Sequence, residues 1–234
     1  MHKANIHALR GKRVHMVGIG GSSMSGLAEM LMREGYAVSG TDRDEGYTLS
    51  RLRDLGIEAR AGHHPQMVDG AALVVYSAAV PREDPERLRA QELGIPQMER
   101  AVLLGELMAG FARQICIAGT HGKTTTSGML AQALMMMGED PTVHIGGSLD
   151  AIGGSVRVGG KEYFLAEACE FNRSFLNMPV TMALLLNIEE DHLDTYGDMA
   201  HVEEAYAQFL ARLPEDGKII VYGEDERALR TAKK

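Results

Sequence analysis

The chain has 234 residues, 45% of them hydrophobic and 24% charged, with a formal net charge of −8. That length suits one large domain or two ordinary ones, and the apolar content supports a buried core, which excludes a disordered chain. The acidic balance excludes a general nucleic-acid or anionic-membrane surface but not nucleotides, whose phosphates are handled locally.

Two cysteines, Cys116 and Cys169, lie far apart and make neither a disulfide framework nor a zinc site. Met1-His2-Lys3 leads into no apolar stretch of signal-peptide length and no run approaches a membrane span, so the cytoplasm is the expected compartment. The 15 methionines, where they fall at helical spacing, are expected to fill gaps in the core.

In chain order, residues 13–18 read as a strand, followed by the loop Gly18-Ile19-Gly20-Gly21-Ser22-Ser23 and a helix with Met24, Leu27, Ala28 and Leu31 on one face. A second strand, 37–42, ends in Asp42. Glycine turn, helix N-terminus and a following acid resemble a dinucleotide-binding unit, but Ser23 occupies the third glycine position of the fingerprint. Strand-like and helix-like segments keep alternating. Leu49, Leu52 and Leu55 mark a short helix, 57–61 a strand, 72–77 a stronger strand running into Ser77-Ala78-Ala79, 85–93 a helix, 95–98 a small strand and 99–108 a helix. This alternation predicts a parallel sheet covered on both faces, with ligand loops at Gly18, Asp42 and Ser77. Residues 110–113 are the expected hinge, giving one domain over 1–110 and a second over 111–234.

The second unit opens on the apolar strand Ile115-Cys116-Ile117-Ala118. Gly119-Thr120-His121-Gly122-Lys123-Thr124-Thr125 follows, then a helix with Met129, Leu130, Ala133, Leu134 and Met137 at helical spacing. Strand, glycine loop and helix is the setting of a phosphate-binding loop. Lys123 would meet the β/γ-phosphates, and the Thr124 hydroxyl would bind Mg²⁺. Ile117 stands where the general pattern wants its first glycine, so the match is to a compact variant beginning at Gly119. Further on come a strand near 142–145 and a glycine-rich connection. Residues 156–158 and 162–166 flank Gly159-Gly160, which reads as a β-hairpin. A buried strand, 181–186, reaches Asn187 and the acidic run Ile188-Glu189-Glu190-Asp191-His192. Asp198 is the expected cap of a helix carrying Met199, Val202, Ala205, Tyr206, Phe209 and Leu213; a strand at 218–222 and a helical segment from Asp225 follow. Glu167 lies just past the end of a predicted strand, and with Thr124 it offers the oxygen ligands Mg²⁺ prefers. By its chemistry alone His192 is an unusual Mg²⁺ ligand, and Glu189 and Glu190 read as a solvated turn.

Three motifs in order, Gly119–Thr126, Ala166-Glu167-Ala168-Cys169-Glu170 with Ser174-Phe175-Leu176, and Asn187 through Asp194, resemble the Mur ligases. With Gly18-Ile19-Gly20-Gly21 and Met24-Ser25-Gly26-Leu27-Ala28, the resemblance narrows to members that add L-alanine to UDP-N-acetylmuramate. It covers essentially the whole chain. It implies an N-terminal Rossmann-like domain holding the UDP-sugar through Gly18, Gly20, Gly21, Ser22, Ser23, Met24, Ser25, Asp42, Ser77 and Ala78. A P-loop-type α/β domain for ATP and Mg²⁺ would follow. There Gly119, Thr120, His121, Gly122, Lys123, Thr124 and Thr125 would cradle the phosphates, with metal ligands Thr124, Glu167 and His192. Lys123, His192 and Asn187 would be catalytic, Asn187 by ordering the loop. Carboxylate activation to an acyl phosphate is the implied chemistry. Cys169 stands where many relatives carry an acid.

The resemblance also predicts a longer chain with a third domain, so the central domain is expected to be incomplete and the chain alone inactive. Rival readings are a nicotinamide-dependent oxidoreductase on residues 1–100, a non-catalytic nucleotide-binding fragment, and a ligase that adds a preformed peptide to the same UDP-sugar.

Overall fold

A computed structural model describes residues 5–191 and 193–233, of residues 193 and 194 the backbone alone. The chain divides into two compact units, residues 1–106 and 107–234. Among the described residues no helix is long and apolar enough to cross a membrane.

Unit 1 alternates β1 (Arg13–Val17), α1 (Ser22–Arg33), β2 (Ala37–Asp42), α2 (Tyr47–Asp54), β3 (Glu58–Ala61), β4 (Leu73–Tyr76), α3 (Pro85–Glu92), β5 (Gln97–Glu99) and α4 (Arg100–Met108), whose last turn crosses the division. Five parallel strands are ordered β3-β2-β1-β4-β5. The order reverses beside β1, and the crevice at the C-terminal ends of β1, β2 and β4 is where such sheets take ligands. Val14, Met16, Leu73 and Val75 on one face of the central strands and His15, Val17 and Val74 on the other are all buried, which fits a sheet covered on both faces.

Unit 2 begins with β6 (Arg113–Ala118) and α5 (Lys123–Met136). It continues with β7 (Thr142–Leu149), β8 (Gly154–Arg157), β9 (Tyr163–Ala168), β10 (Met182–Leu185), the four-residue α6 (Leu193–Tyr196), α7 (Met199–Leu210), β11 (Lys218–Val221) and α8 (Glu226–Ala232). Its sheet is ordered β11-β10-β6-β9-β7-β8, parallel except for β8. Ile115 and Ile117 pack with Ala131 and Leu134 of α5 and with Val143, Ile145 and Leu165. The intervening Cys116 and Ala118 are equally buried, so the other face is covered too. Asp198 and Asp225 cap α7 and α8 by accepting the His201 and Ala228 N–H groups.

Three expectations fail here. Gly159-Gly160 does not turn a hairpin between β8 and β9. Instead β8 pairs antiparallel with β7, and β9 lies parallel between β6 and β7. Neither glycine has the positive φ that a two-residue turn needs. Their N–H groups bond back to the start of β7, at the Thr142 hydroxyl and the Asp140 carbonyl, and a Cβ on Gly159 would sit 2.5 Å from that carbonyl. The pair is a packed crossover.

The buried stripe of α5 is Ser127, Gly128, Ala131 and Leu134, leaving Met129 69% and Met137 75% exposed rather than in the core. The small residues let α5 lie close to the sheet and shift the apolar phase. Finally, α7 ends at Leu210, so Leu213 is not on its buried face.

Candidate functional site

In unit 2 the chain leaves β6 at Ala118 between the ends of β9 and β10, with Ala118 opposite Ala168 on one side and Leu185 on the other. Gly119 takes φ +142°, and a Cβ there would lie 3.0–3.2 Å from Leu186 and the Asn187 backbone, so glycine is required for the loop to pass β10. Gly122, at φ +82°, turns the loop into the N-terminus of α5.

Asn187 clamps the loop. Its Oδ1 accepts the His121 N–H at 2.8 Å, its Nδ2 donates to the His121 carbonyl at 3.1 Å, and its own carbonyl accepts the Thr120 N–H at 3.1 Å. The Thr120 hydroxyl accepts the Glu189 N–H at 2.9 Å, fastening the loop to the acidic turn. Glu189 and Glu190 are exposed, as a solvated turn requires.

The Lys123 ammonium donates to the carbonyls of Gly119 (2.5 Å) and Thr120 (3.1 Å). It also donates to both carboxylate oxygens of Glu170, at 3.0 and 3.1 Å. Glu170 is buried, and sequence reasoning gave it no role although it stood in a quoted motif; the signal was its position three residues past Glu167. Burial and the Glu170 charge push the Tyr196 phenol up to about 12, and its hydroxyl donates to the Glu170 carbonyl at 2.5 Å.

Glu167 stands at the end of β9, and its buried Oε1 has no hydrogen-bond partner. Gly146 and Gly147 of β7 form the opposite wall. A Cβ on Gly146 would be 3.0 Å from Glu167 Oε2, and one on Gly147 2.9 Å from Thr124 Cγ2. An orphaned carboxylate oxygen and a nearby threonine hydroxyl across a glycine wall fit a hard cation that keeps other oxygen ligands. Among the described residues no three His, Cys, Asp or Glu side chains could hold a metal by themselves. His192, the third expected ligand, lies outside the described residues.

In unit 1 a cavity of about 670 Å³ opens at the strand ends. Gly18, Gly20, Gly21, Asp42 and Ser77 line it, as do Thr41, Arg43, His63 and Asp84, which sequence reasoning did not single out. Asp42 Oδ2 accepts the Gly20 N–H at 2.8 Å, so this carboxylate fixes the glycine turn. Ser22, Ser23, Met24, Ser25 and Ala78 are not among the lining residues: Met24 and Ser25 are buried in α1, the Ser25 hydroxyl on the Ser22 carbonyl, while the Ser23 hydroxyl accepts from Arg100 at 3.0 Å. His63 Nδ1 pairs with buried Asp84 at 3.2 Å.

Beneath the cavity the buried Glu86 carboxylate joins His15 Nε2 (3.0 Å), the Thr41 hydroxyl (2.6 Å) and the His64 N–H (2.7 Å). Burial opposes its ionisation, but these hydrogen bonds outweigh burial and hold the carboxyl below the usual range.

Residues 13–112 match the family described as Mur ligase family, catalytic domain, and residues 117–234 match the Mur ligase middle domain. The chain belongs to the Mur ligase family. It is 46% identical over 222 residues to a UDP-N-acetylmuramate–L-alanine ligase of Acetivibrio thermocellus, covering 95% of this chain and 47% of that one. It is likewise 46% identical over 216 residues to its counterpart in Clostridium beijerinckii, covering 92% and 47%. This Mur ligase chain thus spans about half the length of the curated relatives it matches.

Its fold superposes on the UDP-N-acetylmuramate-alanine ligase of Thermotoga maritima with TM-score 0.85 at 28% identity, covering 94% of this chain and 51% of that one. The UDP-N-acetylmuramate:L-alanyl-gamma-D-glutamyl-meso-diaminopimelate ligase of Neisseria meningitides gives TM-score 0.86 at 28% identity, covering 95% and 74%.

Proposed function

We propose that this chain carries the UDP-sugar and ATP sites of a ligase that joins L-alanine to UDP-N-acetylmuramate in peptidoglycan precursor synthesis, working in the cytoplasm. The observation that carries the reading is the loop of residues 119–125, clamped by Asn187 and presenting Lys123 at the C-terminal end of β6, with Glu167 at the end of the neighbouring β9. The 46% identity to L-alanine ligases supports the amino-acid choice.

The unit 1 cavity takes the UDP portion, with the Gly18–Gly21 turn beside the diphosphate. The unit 2 loop takes the ATP phosphates on its N–H groups and on Lys123. Thr124 and Glu167 are the residues that would hold Mg²⁺, which supplies charge neutralisation at the phosphoryl oxygens.

The lactyl carboxylate attacks the γ-phosphorus, the bond to the β–γ bridging oxygen breaks, and ADP leaves. The amine of L-alanine then attacks the acyl carbon, loses a proton and expels inorganic phosphate. Lys123 balances charge as it gathers on the transferred group, and Asn187 keeps the loop in place throughout.

The second reading, addition of a preformed peptide, is favoured by the likeness to the Neisseria structure and to a murein peptide ligase of Psychrobacter arcticus. Calorimetric titration with UDP-N-acetylmuramate, MgATP and NADH tests the sites. The first two are expected to bind and NADH not, and binding of NADH alone overturns the reading in favour of an oxidoreductase. Product mass with L-alanine against L-alanyl-γ-D-glutamyl-diaminopimelate, measured on the enzyme that contains this chain, separates the two ligases.

A further inference from the structure

An ammonium group has three protons to donate, and Lys123 spends them on three partners: the Gly119 carbonyl, the Thr120 carbonyl and the Glu170 carboxylate. A phosphoryl oxygen arriving at Lys123 must therefore displace one of them. The two carbonyls are neutral and belong to the loop itself. Of these three described partners, Glu170 alone bears the same sign of charge as the arriving oxygen. Its side chain is 4% exposed and that of Lys123 16%, so solvent screens this repulsion little.

A second observation comes from the backbone. Asn172 and Arg173, two and three residues after Glu170, take φ +52° and +54°. Such angles are strained for a residue as large as arginine and persist only where the surroundings hold them. Here the hold is on Glu170: its carbonyl accepts both the Arg173 N–H at 2.9 Å and the Tyr196 hydroxyl at 2.5 Å. The turn is tied down at the residue whose side chain meets Lys123.

We propose that Glu170 is the internal counter-anion of Lys123, a positioning residue that holds the ammonium at the loop until a phosphate replaces it. The inference rests on the phosphate-site reading above and adds a sign to it. Glu170 opposes nucleotide binding, so that only a ligand bringing more charge than one carboxylate, as a triphosphate does, takes Lys123 away. A glutamate that merely supported the fold would weaken binding when changed, or leave it alone.

The test is calorimetric binding of MgATP, and of inorganic triphosphate without metal, to the full 234-residue chain. Glu170→Gln is expected to bind both roughly tenfold more tightly than the unsubstituted chain, through loss of the competing charge. Glu170→Asp, which draws the carboxylate back by one methylene, is expected to gain about threefold. Unchanged or weaker binding by folded Glu170→Gln overturns the inference; should that variant not fold, Glu170→Asp decides by the same criterion. Lys123→Ala, run alongside, separates the two levels. If it binds MgATP as well as the unsubstituted chain, the phosphate-site reading falls and this inference with it. If it loses binding while the Glu170 variants gain none, only the counter-anion falls.

Discussion

Two strand–loop–helix turns in this chain begin alike and end in opposite chemistry. In unit 1 the turn after β1 has an acid as its neighbour: Asp42 occupies the Gly20 N–H, and Glu83 and Asp84 line the same cavity. In unit 2 the turn after β6 has a lysine at its mouth, and its fixed amide is satisfied by a neutral carboxamide, Asn187. A glycine turn at a helix N-terminus is therefore a frame whose ligand is chosen by the neighbouring strand ends. An acid there suits a polar nucleoside carrying hydroxyls, while a lysine with an orphaned carboxylate suits a metal-bound polyphosphate.

The strongest challenge to this contrast is Lys123→Ala. We expect loss of MgATP affinity by more than about 100-fold with UDP-N-acetylmuramate affinity unchanged, since Lys123 belongs to unit 2 and the proposed UDP-sugar cavity to unit 1. Equal weakening of both ligands in calorimetry would break the comparison.

Gly119→Ala comes next. The left-handed φ and the contacts at 3.0–3.2 Å predict destabilisation by about 2–3 kcal/mol, read in denaturant unfolding of unit 2. Asn187→Ala removes two hydrogen bonds to His121 and should cost about 1–2 kcal/mol, with weaker MgATP binding and unaltered UDP-sugar binding.

The smallest effect is a pH dependence confined to unit 1. Because the folded carboxyl of Glu86 lies below its ordinary value of 4.5, its stabilisation is fully present above that value. It is lost as pH falls through the unfolded and then the folded pKa. Acid unfolding followed by circular dichroism should show this loss below about pH 4.5, and Glu86→Gln should flatten it.

Both parallel sheets were readable from the sequence because buried strands such as 72–77 and 181–186 are unbroken apolar runs next to turn residues. The Lys123 loop was readable because strand, glycines, lysine and helix are contiguous. What escaped depends on contacts across the chain. The pairing of β8 is decided by Thr142 and Asp140 capturing the glycine N–H groups, which no local pattern records. Glu170 matters only because β9 ends beside β6, and the segment that carries it shows neither period. At α5 the apolar residues suggested a phase that the small residues Ser127, Gly128 and Ala131 overrode. The ends of β1, β2 and β4 were recognised as the cavity rim, whereas His63, past the end of β3, was missed for want of a glycine motif.

The misplaced face of α5 has a chemical consequence. Met129, Met136 and Met137 are 69–81% exposed, whereas Met16 and Met30 are fully buried and Met24 nearly so. Peroxide should therefore divide the methionines into two populations. The helix-face thioethers would gain oxygen quickly and reversibly by reductase, while the core thioethers would react only when their unit opens. Sulfoxide at these three positions makes an oily stripe polar and chiral without touching the packed sheet. The chain thus carries, along the helix that begins at Lys123, a surface whose wettability records its oxidative history.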